Sequence, residues 1–196
     1  MKNLLFITSH LYSGSEELIS ILNENKRVQI YNTSLSYKDP SMLNGLFSLD
    51  HTSDNTAAIY GEHLLFNQTL SSKAFYKFAK FIYVFDNAKS SLNKIINHKN
   101  EYAHLGAFRY YCFRLRRLFE MACNTPGAVL LTGDDLREQK GAELIENYLD
   151  VSVDFSKLEL DDTFESVVSA SIVEEAQDCY ERYLYKMKQL DLKYEA

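Results

Sequence analysis

The chain has 196 residues, 46% hydrophobic and 24% charged, with a formal net charge of -6. That is enough chain for one domain with a sizeable core, and the acidic balance excludes a broad nucleic-acid-binding surface while leaving room for one small nucleotide in a local basic pocket. No apolar run approaches the ~18–20 residues of a membrane span, and no leader pattern follows Lys2; the three widely spaced cysteines, Cys112, Cys123 and Cys179, read as reduced thiols. A cytoplasmic protein is expected, without membrane or nucleic-acid partner, disulfide framework or metal site.

The first apolar run, residues 4–8, reads as a strand buried on both faces. A helix over 15–25 follows, with Leu18, Ile19, Ile21 and Leu22 along one side. Further short β-type runs occupy 28–32, 57–60, 81–85 and 128–131. Residues 34–54 are polar and irregular, as expected of a loop-rich insertion that borders a site. Helical periods cover 90–98, with Leu92, Ile95 and Ile96, and 102–123, with Phe108, Tyr111, Leu115 and Leu118. Another runs over 135–149, with Asp134 and Asp135 where an N-cap belongs, and a last one covers roughly 163–190. Strands alternating with helices predict a single α/β domain around a mainly parallel sheet, with 151–196 as a helical extension.

In a parallel sheet, ligands gather at the carboxyl ends of the strands. The turn after Thr8 is therefore the first candidate site. In "HLYSGSEEL", Ser13 and Ser15 offer hydroxyls, Gly14 permits close approach, and the helix start presents backbone N–H groups to an anion. A plain strand-to-helix turn with Ser15 as N-cap accounts for the same residues. The loop is not G-x-x-x-x-G-K-[ST], so a small kinase is a weak alternative.

Three segments, in order over roughly residues 3–150, resemble the sulfotransferase family. "SHLYSGSEELISIL" is similar to the family's 5′-phosphosulfate loop, with Tyr12 at its Lys or Arg and Glu16 at a small hydroxyl residue. "KFIYVFDNAKSSLNKI" resembles the strand and turn that bind the nucleotide's 3′-phosphate, with Asp86 at the Arg position and Lys94 at a later hydroxyl position. "AVLLTGDDLREQKGAELIENYLDV" resembles the late strand, acidic turn and helix that close the family's sheet, a structural element.

The resemblance implies a P-loop NTPase-like three-layer sandwich of sulfotransferase type. It implies transfer of a sulfuryl group from 3′-phosphoadenosine 5′-phosphosulfate (PAPS), leaving 3′-phosphoadenosine 5′-phosphate (PAP), to a small-molecule or saccharide hydroxyl. Tyr12, Ser13, Gly14, Ser15 and Glu16 would line the 5′ end; Asp86, Ser90, Ser91 and Lys94 would line the 3′ end. "AIYGEHLLFNQ" resembles the stretch that carries the family's base, which makes Glu62 or His63 the candidate, with His10 third. The arginines of "FRYYCFRLRRLFEMA" are similar to the family's basic helix, of which only one or two can face the site. A carboxylate ~4–5 Å from a phosphate costs roughly 1–4 kcal/mol, so Asp86 and Tyr12 favour an alternative: a catalytically lapsed relative that binds another ligand or a protein partner.

Overall fold

A computed structural model describes residues 3–32, 58–65, 73–98, 104–160 and 167–194. Five strands form one sheet: β1 (Asn3–Ser9), β2 (Val28–Tyr31), β3 (Ile59–Leu64), β4 (Ala79–Phe85) and β5 (Val129–Thr132). Their order is β2-β3-β1-β4-β5, and every described pairing between them is parallel. The chain runs from β1 outward to β2 and later returns to the other side of β1 with β4, so the order reverses beside β1. That reversal opens a crevice at the carboxyl ends of β1 and β4, the place where open α/β sheets take ligands.

Helices cover both faces, which is why the central strands are apolar throughout. One core, built on Leu5, Ile7, Ile82, Val84 and Leu131, is closed by α1 (Ser15–Glu24), α5 (Gly133–Arg137) and α6 (Ala142–Leu149). The other, built on Phe6, Phe81, Tyr83 and Phe85, is closed by α2 (Lys73–Phe78), α3 (Ala88–His98), α4 (His104–Ala122) and α7 (Ala170–Lys188). The result is the three-layer α/β sandwich expected. Val168, Ala176, Tyr180 and Met187 join the second core, so the described part of 151–196 packs into the domain. Residues 191–193 then run along the outer side of β5, where the Lys193 N–H donates to Ala128 O and the Leu130 N–H to Lys193 O. That pairing covers an edge strand whose polar groups would otherwise face another chain.

Several boundaries differ from the sequence reading. β3 continues four residues beyond residue 60, because Gly61 lets β1 approach: a Cβ there would lie 2.5 Å from Leu5 O. Glu62 and His63 therefore lie inside a strand and point to opposite faces of the sheet. The helix expected over 135–149 is two helices, α5 and α6. Gln139 and Gly141, at φ 56° and 84°, break it between them, and Gly141 packs where a Cβ would meet Leu131 Cδ2 at 2.6 Å. Thr132, not Asp134 or Asp135, caps α5: its hydroxyl accepts from the Asp135 N–H while the Asp135 carboxylate accepts from the Thr132 N–H, a reciprocal capping box. The cap of α1 is Gly14 rather than Ser15. Helix α2 was not expected, and the insertion 34–54 lies outside the described residues.

Among the described residues no helix is long and apolar enough to cross a membrane, and no group of three or more His, Cys, Asp or Glu is gathered for a metal ion. Cys112 on α4 and Cys179 on α7, far apart in sequence, are free thiols, and the Cys179 thiol and burial push the Cys112 thiol up.

Candidate functional site

The crevice predicted by the strand order holds a cleft of about 170 Å³. Tyr12, Ser13, Gly14, Glu16 and Glu17 form one wall, from the turn after β1 and the start of α1. Asp86, Lys94 and His98 form another, and Arg137 and Leu160 complete it. The fold thus brings together six of the residues named from the sequence: Tyr12, Ser13, Gly14, Glu16, Asp86 and Lys94. Ser15 and Ser91 lie behind the wall, buried, and Ser90, also buried, sits beside the Arg137 guanidinium.

The loop is held by backbone geometry and by α4. Tyr12 is in the left-handed region at φ 57°, which a bulky side chain seldom adopts, and Gly14 follows at φ 86°. The Leu11 N–H donates to the Tyr110 hydroxyl, which itself donates to Leu65 O. A Cβ on Gly14 would lie 2.8 Å from Leu136 Cδ1 and 3.0 Å from Leu160 Cδ2, so two leucines already cover that side of the loop.

The hydroxyls expected to face an anion instead form a buried chain. Ser13 Oγ donates to Ser15 Oγ at 3.3 Å, Ser15 Oγ and Ser9 Oγ are 2.8 Å apart, and Ser9 Oγ is 2.9 Å from His63 Nε2. When each hydroxyl donates towards the imidazole, every hydroxyl proton has an acceptor and Nε2 receives the last one. His63 Nδ1 has no partner although it is buried. Burial, then the nearby Arg114 charge, hold the His63 pKa down to about 4, so the ring is neutral at physiological pH. Glu62 shares the opposite face of β3 with Leu64, on the side of α4, and is fully buried. His63 touches the phosphate-type loop, its Nε2 lying 3.1 Å from Ser15 Oγ.

His10 is fixed in another way. Its Nδ1–H donates to Leu11 O and its Nε2 accepts from the Asp86 N–H, which leaves neither nitrogen for a substrate proton. Burial above all lowers its pKa to about 4. The expectation of a base at position 10 meets a ring that joins the β1 and β4 turns.

Asp86 differs most from its sequence reading. It does not stand as an uncompensated negative charge. Arg137 Nη1 and Nη2 donate to Asp86 Oδ1 and Oδ2 at 2.9 and 2.8 Å, a bidentate fork, and the Asn87 N–H donates to Oδ1. Arg137 Nη1 also reaches Asp134 at 3.1 Å, and Nη2 reaches Ser90 Oγ at 3.4 Å. Sequence reasoning missed Arg137 because its partner lies 51 residues away and the segment "GDDLREQ" reads as a helix cap. Asn87 caps α3 through its own carboxamide oxygen, which accepts from the Ser90 N–H.

Of the arginines on α4, Arg116 and Arg117 pair with Glu120 on the surface and Arg109 is exposed. Arg114 is buried. It donates to Ser9 O at 2.7 Å, to Thr8 Oγ1 and to Leu64 O, bracing the carboxyl ends of β1 and β3. Desolvation lowers its pKa to about 10, so it stays charged at neutral pH. These three acceptors are uncharged. The cleft wall itself carries three carboxylates, Glu16, Glu17 and Asp86, against the cations Lys94 and Arg137.

No family model matches the chain, and no curated protein matches its sequence. Among solved structures it is similar to a mouse sulfotransferase, SULT7A1, complexed with PAP. The identity is 14%, the match covers 96% of this chain and 67% of that one, and the TM-score is 0.49. A likeness of that size describes neither ligand nor activity for this chain.

Proposed function

We propose that the cleft takes the phosphate end of a nucleotide and that the chain is a transferase of sulfotransferase type, acting on a small-molecule or saccharide hydroxyl with PAPS as donor. The observation that carries this is the meeting of the β1 turn, the α1 start, Lys94 and a guanidinium in one cleft at the strand-order reversal, beside a neutral imidazole with one nitrogen unpartnered. Apolar cores close on themselves; a half-satisfied polar cluster at a crevice is where a ligand belongs.

The residues fit one phosphate better than a whole nucleotide. A cleft of about 170 Å³ lies below the ~300–1,000 Å³ of pockets that enclose drug-sized molecules. Backbone N–H groups at the loop and the α1 start would hold the 5′ end, and Lys94 with Ser90 the 3′ end. PAPS, when bound, supplies the sulfuryl group: the acceptor oxygen bonds to sulfur as the bond from sulfur to the 5′-phosphate breaks and PAP leaves. The acceptor's proton passes to Ser13, which lines the cleft, and along Ser15 and Ser9 to His63 Nε2. Each hydroxyl gives up one proton as it receives another, and the histidine carries the proton only transiently, because burial and Arg114 hold its pKa down to about 4.

A second reading has its own support. The Asp86–Arg137 fork already satisfies the position where the resemblance puts a phosphate-binding cation, as it would in a relative that has ceased to transfer sulfuryl groups and binds another ligand or a protein. Calorimetric titration with PAP tests the first reading. Saturable heat that Lys94→Ala abolishes supports it, and no heat up to millimolar PAP refutes it in favour of the second. Binding without sulfation of any hydroxyl in an acceptor panel also points to the second.

A further inference from the structure

We infer that Arg137 is the residue of this cleft that grips a ligand's phosphate, and that Asp86 is its internal stand-in, a carboxylate that occupies the guanidinium fork until a phosphate displaces it. The inference deepens the proposed function and rests on the cleft being a phosphate site.

Three features of the pair point this way. The first is its chemistry. A guanidinium binds carboxylate and phosphate with the same two parallel N–H groups, so a phosphate that enters the cleft competes with the carboxylate for them. Arg137 presents that fork to Asp86 at 2.9 and 2.8 Å. The second is position. Both residues line the cleft, yet Asp86 is 3% exposed and Arg137 22%, so the carboxylate sits at the bottom with the guanidinium in front of it, within reach of a solute. The third is the shape of the surrounding turn. A Cβ on Gly133 would lie 2.1 Å from Asp86 Oδ1 and 2.8 Å from Arg137 Nη1, so the space that holds the pair exists only because that position is bare. Ser90 Oγ, 3.4 Å from Nη2, stands beside the fork as a ready further donor to a phosphate oxygen. Asp134, the other carboxylate on Arg137, is 69% exposed at the rim and holds the guanidinium from the solvent side.

On this inference the cation expected at position 86 has changed segments: it comes from the β5 turn instead of the β4 turn, and the acidic residue left behind keeps it in place. A clamp that merely fastens the two turns would use the same contacts. Neutralising the carboxylate without removing it separates the two: a stand-in that loses its charge frees the fork for phosphate, whereas a clamp that loses its charge only weakens the fold.

The test compares the wild-type chain with Asp86→Asn, Arg137→Met and the double variant, titrated calorimetrically with PAP and, separately, with inorganic pyrophosphate. Asp86→Asn is expected to bind at least about tenfold tighter than wild type, since a competing carboxylate has gone, and the double variant is expected to lose that gain. No tightening in Asp86→Asn with either probe, or a gain that survives in the double variant, overturns the inference. A gain with pyrophosphate but none with PAP keeps the inference and sinks the nucleotide reading. If Asp86→Asn does not fold, the Arg137 Nε resonance of the wild type decides. Its shift on addition of millimolar pyrophosphate is expected, and a resonance that stays with Asp86 throughout overturns the inference.

Discussion

Acidification should destabilise this protein through two buried histidines. His10 and His63 are fully buried and neutral, each with its pKa lowered from 6.5 to about 4. An unfolded histidine takes its proton near pH 6.5, whereas these two resist it until about 4. Over that window the unfolded chain binds more protons, so stability is fully present above the upper value and is lost as pH falls towards the lower one. Between about pH 7.5 and about pH 5, each histidine contributes a loss of about 2 kcal/mol, and the pair about 4. That is a large share of the ~5–15 kcal/mol that holds a domain together. Urea unfolding followed by far-UV circular dichroism at both pH values measures it. His63→Gln, whose amide can stand in for Nε2, keeps only the share of His10, so its loss should be smaller by about 2 kcal/mol. Other groups titrate in both chains and cancel in the difference. Equal losses in wild type and variant would refute the burial argument for His63.

Arg114→Met should cost about 3 kcal/mol or more, because Ser9 O and Leu64 O lose their donor inside the fold; a urea midpoint within error of wild type would show that the brace is redundant. Gly14→Ala, strained at φ 86° and closing on Leu136, should lower the melting temperature more than Gly127→Ala, which has a positive φ of 73° but open space around it. Equal effects would mean that crowding by Leu136 and Leu160 contributes nothing. Tyr111→Phe removes the 2.6 Å hydrogen bond to Asp86 O and should cost about 1–2 kcal/mol in the same assay. Thr132→Ala should cost about 1 kcal/mol by undoing the cap of α5, and undiminished protection of the Asp135 amide in hydrogen exchange would contradict it.

Much of this fold is written locally. Residues 4–7 and 81–85 are apolar without interruption, as strands covered on both faces are. The spacing of Leu18, Ile21 and Leu22, or of Tyr111, Leu115 and Leu118, fixes a helix and the face it buries, because periodicity and burial are the same physical fact. The turn after β1 was also legible as a wall of the cleft, since the carboxyl end of a central parallel strand is where helix starts and loops converge.

What only the folded chain decided is which side chains meet. Local pattern carries no information on partners dozens of residues away. Asp86 reads as a repulsive charge until Arg137 arrives from the β5 turn; Ser13 and Ser15 read as open hydroxyls until His63 and Ser9 take them. His10 and His63 look alike as candidates, and differ only because one ring has both nitrogens on backbone and the other has one left over. The sequence determined the layers and the location of the cleft, because hydrophobic burial is periodic and short-ranged along the chain. Its charge and chemistry were decided by tertiary contact, because a hydrogen bond or an ion pair depends on distance in space and not on separation in sequence.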